Sequence, residues 1–240
     1  MERETLEKNL KLVEERIQKA CQRAGRNRSE VEIVAVTKTH PPEVVQAAAA
    51  LGVKIFGENK VQEARAKIHE TGDGLRWDLI GHLQTNKTRD AVRLFELIHS
   101  VDSLRLAEVL DKEAAQAGKN QRVLLEVNVS GEKSKFGILP DQLDGTLKSM
   151  NALPHLIVEG FMTMAPFSDD PEKARPCFRR LREQRDRTSR ESGIPLPHLS
   201  MGMSGDFEVA VQEGATLVRI GTAIFGKRRS IRKASEDSEP

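Results

Sequence analysis

Residues 198–221 read HLSMGMSGDFEVAVQEGATLVRIG. The stretch holds an apolar run at 198–201, a helix-like segment at 206–213 and a second apolar run at 217–220. Neither run alternates strictly between apolar and polar residues, which is the mark of a strand covered on both faces. Such strands belong to a parallel sheet joined by helical crossovers. Working towards the N-terminus, the same unit recurs. Apolar or β-branched runs stand at 31–36, 53–56, 77–80, 97–101, 123–129 and 157–162. Helix-like segments fall between them at 42–51, 60–70, 86–95, 104–117, 140–151 and 171–192. Eight strand–helix alternations without a linker favour a closed barrel over an open doubly wound sheet. The expected fold is α/β: a single (β/α)8 TIM-type barrel. Its last helix is the least defined, because the residues after Gly226 are basic and lack apolar periodicity.

Residues 3–24 precede the repeats and read as an extra N-terminal helix. Leu6, Leu10, Val13, Ile17 and Ala20 recur at helical spacing, while Glu7/Lys11 and Glu15/Lys19 pair at i,i+4 on the wet side. Gly25 ends it. One domain is expected over 1–229, followed by a disordered polar tail at 230–240.

Composition narrows the function. A net charge of +2 with interspersed acids and bases gives little attraction for nucleic acid. The exception is the basic stretch KRRSIRK at 227–233, read as a solvated terminus. No apolar run approaches the ~18 residues of a membrane span, and Met1 leads into Glu2, Arg3 and Glu4 rather than an apolar signal. The expectation is a cytoplasmic protein. Cys21 and Cys177 are too few and too distant for a disulfide framework. His69, His99, His155 and His198 lack metal-ligand spacing, so no metal is expected.

In such barrels chemistry sits at the carboxyl ends of the strands. Lys38 ends the first run, in AVTKTHPP. A lysine in a dry mouth has its ammonium form disfavoured, and its free amine attacks an aldehyde to form a Schiff base. Position alone does not separate pyridoxal phosphate from a sugar-phosphate aldehyde. Ser200 to Asp206 and Arg219 to Thr222 follow strands seven and eight, where barrels often hold phosphate on backbone N–H groups and hydroxyls. Arg219, inside the run LVRIG, requires a partner or an exit to water. Asn59 and His82 follow strands two and three. Met162, Met164, Met201 and Met203 are expected to line an apolar wall.

The chain closely resembles the pyridoxal phosphate homeostasis proteins, relatives of the N-terminal barrel domain of alanine racemase. The likeness runs from about residue 5 to 228 on AVTKTHPP (35–42), FGENKVQE (56–63), WDLIGHLQTNK (77–87), HSVDS (99–103), VNVSGEKSKFGI (127–138), GFMTMAP (160–166) and LSMGMSGDFEVAVQEGATLVRIGTAIFG (199–226). The resemblance implies pyridoxal 5′-phosphate carried on Lys38. It implies a phosphate site around Ser200, Met201, Ser204, Gly221 and Thr222, and Arg219 against the pyridine nitrogen. Asn59 and His82 would line the pocket; Lys60 stands where relatives often have an aromatic residue.

A guanidinium keeps its proton, so the ring stays a weak electron sink. Racemases with such an arginine use two bases, the second a tyrosine from an added β domain. This sequence has no tyrosine and is not expected to carry that domain. The expected role is therefore a non-catalytic binding protein for vitamin B6 homeostasis, monomeric, with pyridoxal phosphate-dependent apoenzymes as recipients. A pyridoxal phosphate-dependent amino-acid racemase is the alternative, and a lysine-dependent aldolase a third.

Overall fold

Helix α1 (Arg3–Arg23) buries one stripe, Leu6, Val13, Ile17, Ala20 and Cys21, and leaves its charged side wet. In the computed structural model, which describes residues 2–131 and 136–226, this stripe packs on the last two helices of the chain. The expected tail at 230–240, the end of the expected domain at 229 and the basic stretch 227–233 lie outside the described residues.

The repeating part follows as β1 (Glu32–Val36), α2 (Pro42–Ala50), β2 (Ile55–Glu58), α3 (Val61–Thr71), β3 (Arg76–Leu79) and α4 (Thr88–Leu94). It continues with β4 (Leu97–Val101), α5 (Leu104–Gln116), β5 (Gln121–Glu126), α6 (Leu143–Asn151) and β6 (Leu156–Met162). It ends with α7 (Arg175–Ser192), β7 (His198–Met203), α8 (Phe207–Gln212), β8 (Leu217–Ile220) and α9 (Thr222–Phe225). The strands are all parallel and close on themselves in sequence order, β1 pairing with both β2 and β8. The fold is the (β/α)8 barrel expected from the alternation.

Two differences from the expected bounds have local causes. The second strand starts at Ile55 rather than 53, because the Val53 amide donates to Ala48 O and closes the exit turn of α2. The fifth stops at Glu126 rather than 129, because Ile138 folds back beside it. Ile138 N–H donates to Glu126 O and Asn128 N–H to Ile138 O. The eighth helix of the repeat comes before Gly226, as the four-residue α9.

The larger core lies between strands and helices; Ala35, Phe56, Leu79, Ile98, Leu125, Phe161, Leu199 and Ile220 face it. A smaller set, including Val34, Val36, Ile55, Ile80, Leu97, Leu124, Met162 and Leu217, fills the barrel itself. A (β/α)8 interior is packed in layers of inward side chains, and here one layer is polar. Asp78, His99, Ser200 and Arg219 are all buried and linked by hydrogen bonds.

Gly81, just after β3, allows the β2 and β3 exits to touch. A Cβ there would stand 2.4 Å from Asn59 O, so the small residue sets where Asn59 sits.

Candidate functional site

The carboxyl ends of β1, β2, β3, β6, β7 and β8 surround a cavity of about 430 Å³, within the range of small-molecule sites. Lys38, Asn59, Ser204, Arg219, Gly221 and Thr222 line it, with Met164 and Met203 on its apolar wall. These six of the nine expected site residues meet in one space. Lys38 is half-buried and shares the cavity with both glycine-bearing turns.

The other three stand elsewhere. Ser200 is fully buried inside the barrel, its hydroxyl bonded to His99 and Arg219. Met201 points the opposite way, into the core beneath the helices; Met162 belongs to the barrel interior. Thus only two of the four methionines line the cavity. His82 lies off the cavity, 3.2 Å from Asp102 and stacked on Phe136 with centroids 4.0 Å apart. The difference follows from the period of a strand: residues 200 and 201 face opposite sides, so a contiguous phosphate-binding run cannot put both side chains in one pocket.

Lys38 is held by its neighbours. Thr39 has φ +68, a left-handed backbone that a β-branched residue rarely adopts. Its amide donates to Glu63 Oε1 at 2.5 Å. Lys67 of α3 is buried below this turn and donates to Thr37 O at 2.6 Å and to Glu58 Oε1 and Glu63 Oε1 at 2.7 Å each. Thr37 Oγ1 also donates to Glu58 Oε1 at 2.6 Å. Burial pushes the Glu58 carboxyl up, against the pull of Lys67.

At the neighbouring exits of β7 and β8, Ser204 Oγ accepts from the amides of Gly221 at 3.2 Å and Ala223 at 3.1 Å. These bonds use the oxygen of Ser204 and leave its hydroxyl hydrogen to donate. Gly202 helps differently from the expected approach to a ligand. With φ +91 it admits the side chain of Ala210, which would lie 2.5 Å from a Cβ, and so seats α8. Asn59 lines the cavity, but its Oδ1 is buried without a hydrogen-bond partner among the described residues.

Arg219 donates from Nη1 to Ser200 O and Oγ, and from Nη2 to Thr163 O. Burial lowers its pKa to about 10, against the attraction of Glu126 and Asp206. It remains charged near neutral pH.

Sequence reading missed Lys67, Asp78, Glu126 and Asp206, and treated His99 only as a poor metal ligand. The available signal was the one that flagged Arg219: a polar residue inside an apolar strand, as in RWDLI and LIHSV, has to find a partner. Among the described residues no group of His, Cys, Asp and Glu is arranged to hold a metal, and no helix is long and apolar enough to cross a membrane.

Glu126 makes a test of this buried electrostatics. Burial and Asp102 raise its pKa from 4.5 to about 7, with Arg219 opposing. Between those values the unfolded chain releases the proton while the folded chain keeps it, so stability falls as pH rises and levels off above about 7. Glu126→Gln removes this loss. The variant is expected to exceed the parent by up to about 3 kcal/mol at pH ~8 and to match it near pH ~4, in urea unfolding.

The family model of the alanine racemase N-terminal domain matches residues 9–229. The pyridoxal phosphate homeostasis protein of Aquifex aeolicus is 48% identical over 92% of this chain and 97% of its own length. The chain belongs to the pyridoxal phosphate homeostasis protein family. PipY of Synechococcus elongatus PCC7942, solved with PLP bound, is 37% identical, with a TM-score of 0.78 over 89% of this chain and 100% of that one. Alanine racemase of Clostridium difficile 630 is 16% identical, with a TM-score of 0.74 over 95% of this chain and 58% of that one. The second likeness speaks for the fold alone.

Proposed function

We propose that this chain binds pyridoxal 5′-phosphate in the mouth cavity, holds it as a Schiff base on Lys38 and serves cytoplasmic pyridoxal phosphate homeostasis without catalytic turnover. The observation that carries the reading is a single cavity lined by Lys38 and by Ser204, Gly221 and Thr222, with Arg219 also on its lining.

The residues fit the group. The Ser204 and Thr222 hydroxyls on the cavity lining suit a phosphate. When bound, the cofactor supplies an aldehyde, a ring nitrogen and a phosphate. Lys38 would hold the aldehyde through its amine, with release of water. Ser204, Gly221 and Thr222 would hold the anionic end, while Arg219 would donate to the ring nitrogen and keep its own proton. Ser200 and Met201 supply no side chain to that phosphate in this reading. The expected state is a monomer, and the expected recipients are pyridoxal phosphate-dependent apoenzymes.

Retention of the Arg219 proton, together with the absence of any tyrosine in the sequence, favours storage over racemisation. Borohydride reduction of the loaded protein followed by peptide mapping is expected to find the pyridoxyl group on the peptide containing Lys38. A label elsewhere, or none, removes the reading. Deuterium exchange at the α-carbon of an amino-acid panel is expected to match that of free cofactor; faster turnover of one amino acid would make the protein an enzyme.

A further inference from the structure

Five polar side chains run through the barrel from its floor to the cavity. At the floor Arg76 grips Asp78 with two bonds of 3.0 Å. Glu32 lies 3.3 Å and Glu96 3.8 Å from the same guanidinium. Asp78 Oδ2 stands 3.1 Å from His99 Nε2, and His99 Nδ1 stands 2.8 Å from Ser200 Oγ. Ser200 Oγ in turn accepts from Arg219 Nη1 at 2.6 Å. Asp78, His99 and Ser200 are completely buried, and Arg219 reaches the cavity lining.

The chemistry of these groups leaves one consistent assignment of protons. An ionised carboxylate only accepts, so Nε2 of His99 carries the hydrogen and Nδ1 the lone pair. The Ser200 hydroxyl then donates to Nδ1 and offers its own lone pair to Arg219. Burial pushes the His99 pKa down although Asp78 pulls it upward, which fits a neutral ring. Burial would raise the Asp78 carboxyl, but His99 and Arg76 hold it below the usual carboxylate range. From Arg219 through Ser200 and His99 each donor points from the cavity towards Asp78, and Arg76 donates to the same carboxylate from the floor.

An apolar layer would fill the same volume without removing charges from water, and buried ionic groups are weak evidence for stability. What this layer does supply is direction. Two of the Arg219 bonds end on Ser200 and one on Thr163, while a guanidinium has five N–H groups in a rigid plane. Fixing one edge of that plane fixes where the remaining donors point.

We propose that Asp78, His99 and Ser200 are positioning residues that lock the Arg219 guanidinium in the plane needed to meet the ring nitrogen of the bound aldehyde. The inference rests on the pyridoxal phosphate reading above and adds three residues to it. It also gives Ser200 a function distinct from phosphate binding.

The test compares two ligands on the full chain: pyridoxal 5′-phosphate and its carbocyclic analogue, in which C–H replaces the ring nitrogen. Ser200→Ala, a small change that keeps the Ser200 carbonyl, is expected to weaken the natural ligand about tenfold. Affinity for the analogue should stay within about twofold, because that ligand has no acceptor for Arg219. His99→Asn should show the same selectivity and serves if Ser200→Ala folds poorly. Equal losses for both ligands would make the column merely structural, and no loss for either would make it irrelevant; each overturns the inference. Failure of the parent protein to form a reducible adduct at Lys38 instead defeats the underlying reading, and takes the inference with it.

Discussion

Replacing Lys38 by alanine is expected to abolish every borohydride-fixed adduct while leaving the barrel folded. The imine absorbance disappears with the amine. Binding does not, because the proposed phosphate site at Ser204, Gly221 and Thr222 lies just beyond strands β7 and β8, and the Ser204–Gly221 and Ser204–Ala223 bonds do not involve residue 38. Affinity should fall at least about tenfold, and the rise in Tm on adding cofactor should shrink accordingly, since ligand stabilisation follows the ratio of free ligand to Kd. The ligand-free variant should melt within about 2 °C of the ligand-free parent, as expected for a half-buried side chain outside the core. Two measurements decide the matter: mass analysis after reduction, and melting with and without cofactor. A ligand-free Tm lowered by many degrees would show that Lys38 serves the fold instead.

The second large effect is expected at Lys67. The residue is 4% exposed, and its ammonium joins Thr37 O, Glu58 and Glu63 at 2.6–2.7 Å. Glu58 is fully buried and already has Oε2 without a partner among the described residues. Lys67→Met leaves that carboxyl with only the Thr37 hydroxyl. Removing one partner of a buried pair costs about 3–5 kcal/mol, a large part of the 5–15 kcal/mol typical of a domain. Urea unfolding should show the loss as a lower midpoint at nearly constant slope. Adding Glu58→Gln removes the stranded charge and should recover part of it. If the single variant loses less than about 1 kcal/mol, the pair is not the support described. Glu63 also holds the Thr39 amide, so the same variant should loosen the turn that presents Lys38.

These two lysines mark how far the sequence could be read. Lys38 was legible because it ends a strand in the first unit of a repeating pattern, and the pattern itself fixes which end of a barrel carries chemistry. Arg219 was legible because a cation inside an apolar strand is conspicuous. Lys67 sits on an ordinary amphipathic helix among Glu63, Arg65 and Glu70, and nothing in its spacing separates it from a wet surface lysine. Its burial depends on the Thr39 turn and on Glu58 ending β2 with its side chain outside the barrel, contacts between units that periodicity does not describe. His99 and Asp78 fall between these cases. Both interrupt apolar strands as Arg219 does, but partners on β3, β4, β7 and β8 become evident only once the ring is closed. The side chains of Ser200 and Met201 part for a simpler reason: neighbours on a strand look in opposite directions.

The seam between β1 and β8 has a consequence for when the protein becomes competent. Val34 lies in register with Arg219 and Ala35 with Ile220, so the amine-bearing end and the anion-gripping end come from opposite limits of the described chain. Residues 39–216 must be synthesised after Lys38 before β8 begins at Leu217. Under the proposed function, a nascent polypeptide has its lysine long before it has a receptacle, and capture of the aldehyde would be a sign that synthesis has passed β8.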